Sequence, residues 1–299
     1  MTRILSIGEC MVEMAPTAAP GEFRMGFAGD TMNTAWYLRR LLPATDSVDY
    51  LTAVGTDGIS EQMIAFLTDA GLGIAHVQRR SDRTVGLYMI QLAAGERSFS
   101  YWRGQSAART LAQDDIALER ALSQADIAYV SGITLAILPE DDRARLMTAL
   151  AAHRAGGRQV VFDPNLRPHL WQDTDVMTAA VMQAARISDI VLPSHDDEVT
   201  WFGDADVAAT ARRYADAGAT CVVVKNGPGP MLSLEDGKSQ EHAPAKVDRV
   251  VDTTAAGDSF NAGYLAARIA GADQATAITR ASELAARVIG ARGALVPIT

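Results

Sequence analysis

Along the chain, short runs rich in Val, Ile and Leu alternate with longer stretches in which apolar residues recur every three or four positions. The short runs fit strands buried on both faces and the long ones amphipathic helices, so their alternation builds βαβ units around a mainly parallel sheet. The predicted strands are ILSIG (4–8), IAYVSG (127–132), QVVFD (159–163), DIVLP (189–193) and TCVVVK (220–225). Helical periodicity covers 31–42, 58–70, 140–155, 205–217, 258–270 and 273–290, and Gly271 stands where one helix must stop before the next begins. The fold this implies is α/β, a three-layer αβα sandwich.

One stretch departs from the alternation. TVGLYMIQL (84–92) and RSFSYWR (97–103) are strand-like runs joined by turn-capable residues 93–96, which reads as a β-hairpin. Side chains alternate with period two, so Phe99, Tyr101 and Arg103 share one face, and Tyr88 and Ile90 share a face on the other arm. Such a hairpin either packs on the main sheet or forms a small β lid, about 84–103, over a polar ligand. No linker tract, internal repeat or long charge run divides the sequence, so residues 1–299 are expected to form one domain with this β appendage.

Composition narrows the partners. A chain of 299 residues, 48% hydrophobic, can bury a sizeable core, and its net charge of −9 argues against nucleic acid or an anionic membrane as partner. Cys10 and Cys221 are far apart and in no metal-ligand spacing, which fits buried thiols in a reducing compartment. Without an apolar run of membrane-spanning length or a signal-peptide core, the expectation is a cytoplasmic protein. A homo-oligomer is compatible with all of this.

The richest chemistry lies in VDTTAAGDSFNAGYL (251–265). Small residues Ala255, Ala256 and Gly257 lead into a helix beginning near Asp258, so unpaired N–H groups and the positive helix end can converge on an anion. Asp258 beside such an anion hole can accept the proton of an attacking hydroxyl, or can be an ordinary acidic residue of a helix first turn. Other phosphate motifs fail. Gly237-Lys238-Ser239 imitates the end of a P-loop, but Leu232 stands where the loop requires Gly, and Gly227 and Gly229 open no G-x-G-x-x-G.

The string DTTAAGDSFNAG closely resembles the C-terminal signature of the ribokinase-like, or phosphofructokinase-B, carbohydrate kinases. The resemblance extends over essentially the whole chain, and it implies an ATP- and Mg²⁺-dependent kinase on a ribokinase-like fold. It makes Asp258 the catalytic base, gives Ala255, Ala256, Gly257 and Asp258 the transferring phosphoryl group, and has Asp252 help order the site as one of the substrate-side residues. Ala255 replaces the usual Gly but keeps its N–H. Gly29-Asp30-Thr31-Met32-Asn33 is similar to the segment that grips sugar hydroxyls, which implicates Gly29, Asp30 and Asn33. DPNLRP (163–168) matches an Asp-x-Asn-x-Arg pattern, implying Asn165 in the phosphate and metal network and Arg167 on the substrate. Ser194 stands where the family's Asn-x-x-Glu begins, which leaves Asp197 and Glu198 as alternatives for the metal network. VVVKNGPGP (222–230) resembles the nucleotide-side loop, with Lys225 and Gly227 near ATP.

Residues 97–109, with Tyr88 and the TTAAGD string, look most like the branch of this family that phosphorylates 2-keto-3-deoxygluconate. A sugar acid carries a carboxylate, and Arg103 and Arg167 offer charge-assisted donors that a neutral sugar does not require. Tyr88 and Tyr101 can supply hydroxyls and an apolar wall. The alternatives are a fructokinase or other sugar kinase of the same family, and a non-catalytic sugar-acid sensor on a kinase fold.

Overall fold

Period-two alternation divides the strand side chains between two apolar layers, and this division builds the fold. In β8 (Ile127–Ser131), Ile127 and Tyr129 enter one layer while Ala128 and Val130 enter the other. The computed structural model describes residues 1–93 and 96–298. Among them, the central sheet runs in spatial order β13 (Lys238–His242), β12 (Met231–Glu235), β11 (Cys221–Val224), β10 (Ile190–Val191), β9 (Gln159–Asp163), β8, β1 (Arg3–Ile7), β4 (Ser47–Val54) and β5 (Val77–Arg79). From β11 to β5 all neighbours pair in parallel, and β12 and β13 close one edge antiparallel.

Helices α1 (Asp30–Leu41), α2 (Gly58–Asp69), α9 (Ala256–Ile269) and α10 (Gln274–Ile289) cover one face. On the other lie α3 (Asp115–Gln124), α5 (Glu140–Ala155), α6 (Thr174–Arg186) and α8 (Val207–Ala217), with the short α4 (Gly132–Ile137) and α7 (His195–Phe202). Asp57, Asp114, Asp173, Asp206 and Asp273 cap α2, α3, α6, α8 and α10 by accepting a backbone N–H, each worth about 1 kcal/mol. The three-layer sandwich read from the sequence is present. Helices α3, α4, α6 and α7, and strands β4, β5, β12 and β13, were not foreseen.

The hairpin does not pack on the main sheet. A second, four-stranded sheet has the order β3 (Phe23–Ala28), β2 (Met11–Pro16), β6 (Leu87–Ala93) and β7 (Glu96–Trp102). Tyr88 pairs opposite Tyr101 and Ile90 opposite Phe99, as alternation requires. The hairpin turn expected at 93–96 includes residues 94 and 95, which lie outside the described residues. Strands β2 and β3 were not foreseen; β2 pairs in parallel with β6, a long-range partnership that no local pattern announces.

Candidate active site

Parallel strands end at one edge of the sheet, and the residues that follow them gather there, as open α/β sheets require of a ligand site. Glu9 after β1, Asp163 closing β9, Ser194 after β10 and Lys225 after β11 all line one cavity of about 810 Å³. The small sheet adds Met11, Tyr88, Phe99 and Tyr101, with Arg103 just beyond it, and the loop into α9 adds Thr253 through Asp258. Sequence-predicted Gly29, Asp30, Asn33, Asn165 and Arg167 complete the meeting.

The turn before α9 is built by an unusual backbone. Ala255 is the N-cap and adopts a left-handed conformation (φ 59°, ψ 18°), which normally costs a residue with a Cβ about 1–2 kcal/mol. Holding it leaves the N–H groups of Ala255, Gly257 and Asp258 without an acceptor among the described residues. The N–H of Ala256 differs from the expectation: it donates to the Thr253 carbonyl at 3.2 Å and is not free for an anion. Beneath this turn the Lys225 ammonium donates to Asn261 Oδ1 (3.1 Å) and Asp163 Oδ1 (3.4 Å), and Asn261 Nδ2 in turn donates to Asp163 Oδ2 (2.8 Å). A buried cation thus stands fixed next to Gly257, where an added Cβ would lie 3.6 Å from its Nζ.

Asp258 is buried, and α1 holds it from the opposite side. Asn33 Nδ2 donates to its Oδ2 at 2.8 Å, and Thr34 Oγ1 donates to its carbonyl at 3.2 Å. Burial, followed by the negative charge of Asp30, pushes its carboxyl up to about 8. Burial also raises Asp30 and Asp197. Five carboxylates in the lining (Glu9, Asp30, Asp163, Asp197, Asp258) face three cations (Arg103, Arg167, Lys225), so the cavity favours protons or incoming positive charge.

The partners of several expected site residues are visible. Asn33 lines the cavity and holds Asp258 through its amide nitrogen. Gly29 is required by packing: a Cβ there would lie 2.1 Å from the Glu9 carbonyl oxygen. Asn165, in a left-handed conformation (φ 37°), donates to Asp30 Oδ2 at 2.9 Å. Tyr88 donates its hydroxyl to Glu13 on β2, which leaves its ring as wall. Arg103 is paired with Glu9, and Arg167 donates to its neighbour's carbonyl and lies 3.8 Å from Asp197. Asp252 lies outside the cavity lining; it is a loop organiser that accepts from Thr254 N and Oγ1 and from Gly293 N. Gly227 is also outside the lining, in the turn after β11 with φ 50°.

Burial separates Asp197 from Glu198. Glu198 is inaccessible, accepts from Arg213 and Tyr214, and burial pushes it up to about 7, while Asp197 faces the cavity. Ser194 lines the cavity and bridges in parallel to Lys225. Sequence reasoning missed Glu9, Asp163, Asn261 and His169. Asp163 lay inside the DPNLRP motif and Asn261 inside DTTAAGDSFNAG, and both were findable there; Glu9 and His169 carried no local signal. The His169 ring sits 6.0 Å from that of Tyr101, joining the core loop to the small sheet.

Known proteins match along the full length. The model of the pfkB family carbohydrate kinases matches residues 1–299. A 2-dehydro-3-deoxygluconokinase of Dickeya dadantii is 41% identical, covering 99% of this chain and 97% of the relative, and one of Escherichia coli strain K12 is 38% identical with the same coverage. Among solved structures, a PfkB protein from Polaromonas sp. JS666 superposes with a TM-score of 0.85 at 27% identity, covering 97% of this chain and 96% of that one. A fructokinase with bound ATP from Xylella fastidiosa gives a TM-score of 0.84 at 23% identity, covering 98% and 93%, which speaks to the fold. A buried acid beside free N–H groups is what phosphoryl transfer to a hydroxyl needs, and with the family model matched from end to end, the chain belongs to the pfkB family carbohydrate kinases.

Proposed function

We propose that the protein transfers the γ-phosphoryl group of ATP to the terminal primary hydroxyl of 2-keto-3-deoxygluconate, acting as one catalytic domain whose small sheet serves as a lid. The observation that carries this reading is the presence of Arg103 and Arg167 in the same cavity as Asp258, two guanidinium groups suited to a substrate carboxylate. The names of the full-length relatives support the same substrate.

Asp258 accepts the proton as the sugar hydroxyl attacks phosphorus and the bond to the leaving ADP oxygen breaks. The N–H groups of Ala255, Gly257 and Asp258, with Lys225 below, receive the negative phosphoryl oxygens. Mg²⁺ bound with the nucleotide would supply charge neutralisation; among the described residues no group of three or more His, Cys, Asp or Glu side chains is arranged to hold a metal alone. Asp197 is the carboxylate we assign to the metal's surroundings. Tyr88, Phe99 and Tyr101 form an aromatic wall, with ring centroids 6.0–6.2 Å apart, that shields the reacting groups from water.

A coupled ADP-release assay over keto-deoxy sugar acids, ketohexoses and nucleosides tests the proposal. Turnover is expected chiefly with 2-keto-3-deoxygluconate, and preference for fructose would replace this substrate while leaving the phosphoryl chemistry in place.

A further inference from the structure

Glu9 has no place in the chemistry above, yet it is the most enclosed carboxylate of the cavity wall. Its side chain is 1% exposed and that of its partner Arg103 10%. It sits in the short link between β1 and β2, while Arg103 directly follows β7, so the pair ties the core to the small sheet. Arg103 donates from both Nε (2.8 Å) and Nη2, and both bonds converge on Glu9 Oε2. Arg103 Nη1 has no partner among the described residues.

The surroundings of Glu9 are equally specific. Its Oε1 is buried without a partner among the described residues and lies against Gly86, where a Cβ would come within 2.7 Å of it and 3.3 Å of Arg103 Cβ. Its carbonyl oxygen packs on Gly29 in the same manner. Two positions without side chains therefore make room for this one residue. A buried ion pair is a poor stability device, because desolvation offsets most of the attraction. Its use is geometric: guanidinium carries five donors in a rigid fork, and a carboxylate on the Nε–Nη2 edge leaves the Nη1–Nη2 end for a second carboxylate.

We infer that Glu9 is a positioning residue for substrate recognition: it grips Arg103 by one edge so that the remaining end of the guanidinium meets the carboxylate of the sugar acid. The inference rests on the sugar-acid reading above. Because Glu9 neutralises Arg103, recognition at this point depends on the fork's orientation more than on net charge, which favours a planar carboxylate at the right place over any anion that enters.

The test is a double-mutant cycle on the full chain with steady-state kinetics for 2-keto-3-deoxygluconate and ATP. Glu9→Ala is expected to raise KM for the acid about 10–30-fold while kcat and the KM for ATP stay within about threefold, the pattern of lost ground-state binding. Glu9→Gln keeps an acceptor for the Arg103 donors and should restore KM to within about threefold of the wild type. In an Arg103→Ala background, Glu9→Ala should add nothing further. Should Glu9→Ala fail to fold, Gly86→Ala carries the test, since it displaces the carboxylate and leaves both charges, and it is expected to raise the same KM. An additive cycle, an unchanged KM in the Ala variant, or equal damage to both substrates overturns the inference. Wild type active on the acid with an additive cycle removes only the role of Glu9; wild type inert on the acid removes the substrate reading and this inference together.

Discussion

Replacing Asp258 by Asn separates what this carboxylate does to the fold from what it does for catalysis. The ordinary value for the group is 3.8, and in the folded chain it is pushed up to about 8. The folded state therefore holds the proton more tightly than the unfolded chain, and ionisation opposes folding: nothing is lost below pH 3.8, the loss grows as pH rises, and it is complete above about pH 8. At about 1.4 kcal/mol per tenfold in proton affinity the penalty is on the order of 6 kcal/mol at most, reduced to a few kcal/mol by water in the open cavity. Asn keeps the shape and can still accept from Asn33 Nδ2, which lies 2.8 Å away, but it carries no charge. Without ligands at pH 9, Asp258→Asn should melt higher than the wild type by about 5 °C, at about 2 °C per kcal/mol for a chain of this size. At pH 4 the two midpoints should coincide. Turnover of the same variant should fall about 10²–10⁴-fold. Differential scanning calorimetry across pH, paired with the ADP-release assay, reads both. A midpoint difference that ignores pH, or a variant less stable at pH 9, would refute the electrostatic reasoning, and near-normal turnover would refute the assignment of the base.

Because the base must be unprotonated, kcat/KM for the sugar in the wild type should rise about tenfold per pH unit and level off near pH 8; a flat profile from pH 6 to 9 contradicts this. Ala255→Gly relieves a left-handed residue (φ 59°) and should raise stability by about 0.5–1 kcal/mol with turnover kept, whereas Ala255→Val should lower both, as urea unfolding and the kinase assay will show. Arg167→Ala should raise KM for the sugar acid about 10–100-fold and leave the KM for ATP nearly unchanged, the loss of one charged hydrogen bond. Arg213→Ala strands the inaccessible Glu198 and should destabilise the chain by about 3–5 kcal/mol in urea unfolding, with KM values unmoved in the protein that remains folded.

The fold class was legible because buried parallel strands are continuous apolar runs and their helices repeat with a helical period, both local properties. The α5 boundaries at Glu140–Ala155 coincide with the predicted ones, and Gly271 (φ 84°) ends α9 as expected. The second sheet was half legible. Its hairpin has adjacent arms and a short turn, whereas β2 reaches β6 across a register of 75 positions, Val12 to Leu87, which no window of sequence spans.

By itself, the sequence determined the candidate chemistry: small residues before a helix, an acid at its entry, and two arginines available for an acidic ligand. These are local features, since free N–H groups at a helix start follow from helix geometry wherever the chain folds. Only the tertiary structure decided which polar groups stay free. Asn33 meets Asp258 from 225 positions away, Glu9 meets Arg103 from 94, and Tyr88 meets Glu13 from 75. Each such partner holds a side chain of the cavity lining in one place. Side-chain donors are satisfied by whatever the packed layers bring within about 3 Å, and that proximity belongs to the assembled sheets and not to the order of residues along the chain.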